Sequence, residues 1–309
     1  MYRHTRFARR FRLIALAPAA ALTAALILAS CATAPSESQE PTTDRVPPRT
    51  PGARGIIVIA HGANGTADEW PARLEKRIRT YEERVTAAGG ETSQWDVFRV
   101  NWPALSDRYV TGAKHGHRLG LRLGEQLASP GYDYEVIHLI GSSLGAHLIH
   151  GIARGYREGL EQRPAQTAGE AVAEQTAPAP PRPAVVHSTF LEPFFMRGLF
   201  AMRYGRKEFG RYADFAENYF VRREPVLFSN APLRHAVNFD ITDAVPDRGD
   251  PSFTYYHDYA FRFYRKSVGR AGPGFLFSPF AQGALRDGGF YDPEELSTLL
   301  ARGRVIEVE

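Results

Sequence analysis

The stretch Glu135–Ala153, EVIHLIGSSLGAHLIHGIA, constrains this chain more than any other. An apolar run ends in Gly-Ser-Ser-Leu-Gly at 141–145, and a helical pattern starts at once. With no residues left for an ordinary loop, the chain must reverse in a sharp strand-to-helix turn, and a glycine at each end of the pentapeptide makes room for it. A serine in the middle of such a G-x-S-x-G turn stands clear of its neighbours. The helix N-terminus behind it points amides to where negative charge would develop. Ser143 is the serine so placed, and Leu144 supplies the nearest N–H. Ser142 occupies the variable position. Five residues alone also fit a glycine-rich turn without chemistry; the strand and helix on either side weigh against that.

Runs of the same apolar, β-branched type recur as GIIVIAHG (55–62), DVFRVNW (96–102), AVVHSTF (184–190) and AVNFDI (236–241), with helical stretches between them. Strands alternating with helices build right-handed crossovers, and so a mostly parallel sheet with helices on both faces. The fold class is α/β. Gly112, Gly116, Gly120 and Gly124 recur at intervals of four on one helix face. Charged Lys114, Arg118 and Arg122 in the same segment argue against a membrane pair, so close packing on a neighbouring helix is expected.

The net charge of +4 misleads: five arginines fall in the first twelve residues, and the first thirty contain no Asp or Glu. Without residues 1–30 the balance is 33 Lys plus Arg against 34 Asp plus Glu, which leaves no excess to neutralise a phosphate backbone, and a nucleic-acid partner is not expected. The first thirty residues read as a signal sequence. Cys31 follows Leu28-Ala29-Ser30 and is the only cysteine; the run resembles the lipobox of bacterial lipoproteins. A lipid on Cys31 would tether the protein to a membrane in the cell envelope, on the outer-membrane or periplasmic side. Residues 31–54 read as a Pro/Ser/Thr-rich linker and 55–309 as the folded domain, with a surface insertion at 161–183.

A serine nucleophile needs a base and an orienting acid. Glu192 directly follows the strand after the nucleophile helix, and His257 precedes a helical pattern near the end of the chain. Asp240 and Asp243 are alternative acids, and His235 is a weaker base. His61 precedes the nucleophile and reads as a loop-shaping residue. His147 and His150 lie three apart on a helix but lack an HExxH-type carboxylate, so no metal is expected. The aromatic-rich segment 190–228 reads as a helical subdomain with a packed interior, or alternatively as a lid or acyl pocket.

Taken in order, His61-Gly62, Val100-Asn101-Trp102, Gly141–His147, Leu191-Glu192-Pro193, Phe239–Ala244 and His257 before Tyr259–Val268 resemble the pancreatic lipase-like branch of the α/β-hydrolases. The resemblance implies the α/β-hydrolase fold, a catalytic triad of Ser143, Glu192 and His257, and an oxyanion hole formed by the amides of Ala63 and Leu144. It implies a serine carboxylic-ester hydrolase acting through an acyl-enzyme, on a small-molecule or lipid ester, without a cofactor. The chain departs from that branch in having Ser142 where a histidine is usual and Glu192 where aspartate is usual. It also lacks the cysteine-stapled lid and the C-terminal lipid-binding domain. A catalytically silent fold used for binding or envelope structure is the alternative, since a fold can outlive its chemistry; thioester and amide cleavage would share the same machinery.

Overall fold

A computed structural model describes residues 43–89, 95–106, 108–163, 183–223, 226–246, 254–269 and 302–308. Seven strands, β1 (Gly55–Ala60), β2 (Trp95–Val100), β3 (Val136–Ser142), β4 (Val185–Leu191), β5 (Phe215–Phe220), β6 (Val237–Asp240) and β7 (Val305–Glu307), form one sheet in the order β2-β1-β3-β4-β5-β6-β7. Every neighbouring pair is parallel. The helices are α1 (Trp70–Ala87), α2 (Pro103–Ser106), α3 (Tyr109–Leu127), α4 (Gly145–Gln162), α5 (Tyr204–Glu208) and α6 (Tyr255–Ser267).

Two cores explain why the strands read as unbroken apolar runs. Ile56, Val58, Ile137 and Leu139 pack with α3 and α4, while Ile57, Ile59, Ile140 and Leu191 pack with α1 and α6 on the opposite face. Side chains alternate across a strand, so a sheet covered on both faces needs apolar residues at nearly every position.

The row of glycines forms the seam between α3 and α4. A methyl group on Gly120 would sit 2.1 Å from the Leu148 carbonyl oxygen, and one on Gly124 2.2 Å from that of Ile152. Gly151 and Gly155 repeat the arrangement from the α4 side. Backbone meets backbone here, and the dispersion attraction of that close approach offsets the helix propensity that each glycine forgoes, about 1 kcal/mol. The helix behind the 141–145 turn is thereby fixed.

Two expectations change, and one element was not foreseen. Residues 43–54, read as part of a spacer, lie against the domain: Val46 is buried and its N–H donates to Gln126, while the Thr43 N–H donates to the Asn101 carbonyl. The segment 190–228 is not a helical subdomain, because β5 runs through it; alternation of Phe215, Glu217 and Tyr219 with Ala216, Asn218 and Phe220 hides a strand among aromatics. Its interior is buried at Phe194, Phe195, Phe209 and Tyr219, yet Leu199 and Phe200 are exposed. Finally, β7 at the sheet edge had no apolar run to announce it. The signal sequence, Cys31 and most of the 161–183 insertion lie outside the described residues. Among the described residues, no helix is long and apolar enough to cross a membrane.

Candidate active site

Parallel strands share one carboxyl edge, and the register sets what meets there. Ala60 pairs with Gly141, Ser142 with Leu191, and Leu191 with Tyr219. Hence His61, Ser143 and Glu192, each the first residue beyond its strand, come to one edge, where α/β sheets bind ligands. All four non-glycine residues with positive φ among the described residues belong to the connections at this edge: Asn64 (52°), Ser143 (53°), Glu192 (45°) and Phe228 (67°). Such conformations cost on the order of 1–3 kcal/mol each and persist where the surroundings over-determine them.

The surroundings of Ser143 do so. Its N–H donates to the Leu191 carbonyl at 3.1 Å, and its own carbonyl accepts from Phe194 N–H at 3.1 Å and Ala146 N–H at 3.2 Å. The turn is thus laced to the Glu192 segment on both sides. A methyl on Gly145 would lie 2.4 Å from the Ala60 carbonyl oxygen, and one on Gly62 would lie 2.9 Å from the Ser143 Cβ. Neither glycine position has room for a side chain; within the motif, Gly141 is equally hemmed in, since a methyl there would lie 2.6 Å from the Gly145 carbonyl oxygen. Ser142 and Ser143 are both nearly buried. The Leu144 and Ala63 amides donate no hydrogen bond among the described residues.

His61 is held as a structural ring. Its Nε2 accepts the Trp102 N–H at 3.0 Å, so Nδ1 carries the proton and donates to the Gly62 carbonyl at 2.9 Å, while the Trp102 indole N–H donates to the His61 carbonyl. Burial lowers its pKa to about 4, which keeps the ring neutral and able to accept. The ring therefore ties the loop carrying Ala63 to the end of β2.

Glu192 is fully buried, with its N–H on the Tyr219 carbonyl and its Oε1 accepting from Val221 N–H. Its carboxylate thus reaches across from β4 to the end of β5. Asp240 ends β6 and is engaged by the Arg222 guanidinium and by the hydroxyl and N–H of Thr242. Asp243 is exposed on the following turn. His257 is the third residue of α6. That helix runs against the strand direction, because Tyr259 donates to the Ala244 carbonyl beyond β6 whereas Tyr264 reaches Glu217 inside the sheet. Its first turn is therefore at the carboxyl edge. The His257 ring is partly buried, and desolvation lowers its pKa to about 4. His235 precedes β6, at the opposite edge from Ser143.

His147 and His150 are buried against Phe209 and Tyr204 rather than paired toward a common point. A different group has a metal-like composition: His138, His187 and Glu217, all buried, with ligand atoms within 4.8 Å of one another. Its geometry does not suit an ion. The two imidazoles stack with centroids 4.0 Å apart and planes 14° from parallel, so their in-plane lone pairs run side by side instead of converging as tetrahedral coordination requires. This cluster went unread in the sequence, although its signal is there: polar His138, His187, Thr189 and Glu217 interrupt strands that are otherwise apolar.

An open cleft of about 810 Å³ is lined by Phe195, Phe200, Met202, Phe228, Arg203 and Lys207, among others; its lining does not include Ser143, Glu192 or His257.

No protein-family model matches the sequence, and no curated protein does. Among solved structures, the chain is similar to a lipase-esterase related protein from Clostridium acetobutylicum (8% identity, 70% of this chain and 94% of that one, TM-score 0.36). It is similar also to esterase 2 of Thermogutta terrifontis phosphoramylated by tabun (13%, 79% and 88%, TM-score 0.31). A third is the RedJ thioesterase of the prodiginine pathway in Streptomyces coelicolor (13%, 76% and 92%, TM-score 0.31). Its own parallel sheet, helices on both faces and strained strand–turn–helix at residue 143 give this chain the α/β-hydrolase fold.

Proposed function

We propose that the protein is a serine carboxylic-ester hydrolase that forms an acyl-enzyme on Ser143. The observation that carries the reading is the left-handed conformation of Ser143 at the β3–α4 turn, held by hydrogen bonds to the segment of Glu192. Strain of this kind is kept where a hydroxyl has to be presented. In the proposed reaction the neutral His257 imidazole accepts the Ser143 hydroxyl proton as Oγ attacks the ester carbonyl. Glu192 orients the ring and stabilises its charged form. The amides of Ala63 and Leu144 donate to the oxyanion, and the imidazolium returns its proton to the departing alcohol. Water then repeats the sequence on the acyl-enzyme and releases the acid. The cleft beginning at Phe195 is proposed to take the non-reacting part of the substrate, and a lipid on Cys31 to hold the enzyme at the envelope membrane.

Turnover of p-nitrophenyl esters and labelling by a fluorophosphonate, each compared with Ser143→Ala, test the reading. Both activities should disappear in the variant. Equal rates in the two proteins would overturn it, and absence of labelling in the wild type would favour a non-catalytic binding role. Cys31→Ala should release the protein from membranes.

A further inference from the structure

The buried cluster under the candidate active site joins the elements that carry it. Thr189 of β4 donates its hydroxyl to Glu217 Oε1 at 2.7 Å, and the Tyr264 hydroxyl of α6 lies 3.2 Å from the same oxygen and 3.2 Å from Thr189 Oγ1. His138 Nε2 of β3 is 2.9 Å from Thr189 Oγ1 and 3.3 Å from the Tyr264 hydroxyl. Tyr219 donates to the other Glu217 oxygen at 2.8 Å. Thus β3, which leads to Ser143, β4, which leads to Glu192, and α6, which carries His257, meet in one hydrogen-bonded junction.

The middle of the α6 interface is otherwise apolar, with Tyr259, Ala260 and Val268 set among Ile140, Leu191 and Tyr219, while near its ends Tyr259 donates to the Ala244 carbonyl and Arg77 to the Val268 carbonyl. Apolar packing is non-directional and tolerates a small slide or rotation of a helix. A hydroxyl inserted into a closed polar cluster does not, since displacement would leave buried polar atoms without partners. His257 and Tyr264 are seven residues apart, two turns and about 10 Å along the helix, and so share a face.

We propose that the Thr189–Glu217–Tyr264 junction is a positioning device that fixes α6 against the sheet and so sets the reach of His257 toward Ser143; this rests on the reading of His257 as the base. Tyr264, Glu217 and Thr189 act through His257 and touch no substrate. Burial also raises the Glu217 pKa to about 7, and a glutamine there keeps one acceptor oxygen for Thr189 and Tyr264.

Tyr264→Phe, made in the full chain, removes one hydroxyl and keeps the ring. Its kcat on p-nitrophenyl butyrate should fall roughly 10-fold or more, as small misplacements of a catalytic group do, with KM within about twofold and the near-ultraviolet circular dichroism unchanged. Glu217→Gln, which keeps volume and an acceptor oxygen, should retain much more of kcat than Glu217→Leu. Should Tyr264→Phe fail to fold, Thr189→Val takes its place with the same expectation. Wild-type kcat in the hydroxyl-deleting variant, or equal losses in the two Glu217 variants, overturns the proposal while Ser143→Ala remains inactive. Turnover retained by Ser143→Ala overturns both this proposal and the reading beneath it.

Discussion

Acid should unfold this protein well before most globular domains, because it buries so many neutral imidazoles. His61, His117, His138, His147, His150 and His187 are six histidines no more than 1% exposed. Burial is the first cause of a lowered pKa in each, to about 4 for His61 and His117 and about 3 for His147 and His187. A lowered folded pKa means that the unfolded chain binds more protons below about pH 6.5. The stability these rings contribute is therefore complete above that value and is lost as pH falls toward 3–4. At pH 5, about 1.5 units below the unfolded pKa and at about 1.36 kcal/mol per unit, each ring held near 3–4 costs about 2 kcal/mol, so His61, His117, His147 and His187 together cost roughly 8 kcal/mol, and His138 and His150 act in the same direction. Glu217 works in the opposite sense. Its raised pKa, about 7, means that protonation favours the folded state on going from pH 7 to 5, and this returns roughly 2 kcal/mol. The remainder from these four rings, roughly 6 kcal/mol, is already comparable to the whole stability of a typical domain. Tryptophan fluorescence and near-ultraviolet circular dichroism across pH 8 to 4 should show one cooperative transition near pH 5–6. Urea midpoints should fall steeply below pH 6.5, and less steeply in His150→Gln. A native spectrum and an unchanged urea midpoint at pH 4.5 would refute the reasoning.

Gly120→Ala should destabilise the fold by about 1–3 kcal/mol in urea titrations, although alanine is the better helix former, because its methyl would meet the Leu148 carbonyl oxygen at 2.1 Å. His61→Phe should cost about 1–3 kcal/mol by orphaning the buried Trp102 N–H, and should lower kcat on p-nitrophenyl esters as the Ala63 loop loosens; unchanged stability would show that the ring does not hold the loop.

Much of the fold was legible because burial on both sheet faces forces continuous apolar strands, as at 55–60 and 136–142. The glycines at 141 and 145 announced the turn, since a side chain at either place would run into backbone. What stayed hidden has a common physical cause. β5 escaped because Glu217 and Asn218 are polar yet buried, satisfied by Tyr219 and Tyr264 on one side and by Asn238 on the other. A sequence does not display partners so distant along the chain. Likewise residues 43–54 gave no sign of packing, as their contacts to Asn101, Gln126 and Asp96 run through backbone amides. The candidate acid was visible as a carboxylate after a strand, whereas the commitment of Asp240 to Arg222 was not.

The bare backbone contact between α3 and α4 has a practical meaning for anyone wishing to reshape substrate preference. Where Gly120, Gly124, Gly151 and Gly155 face one another there is no side chain to trim, and any added one would meet backbone. Variation is more easily accommodated in the loop following β4, where Leu199 and Phe200 already face solvent.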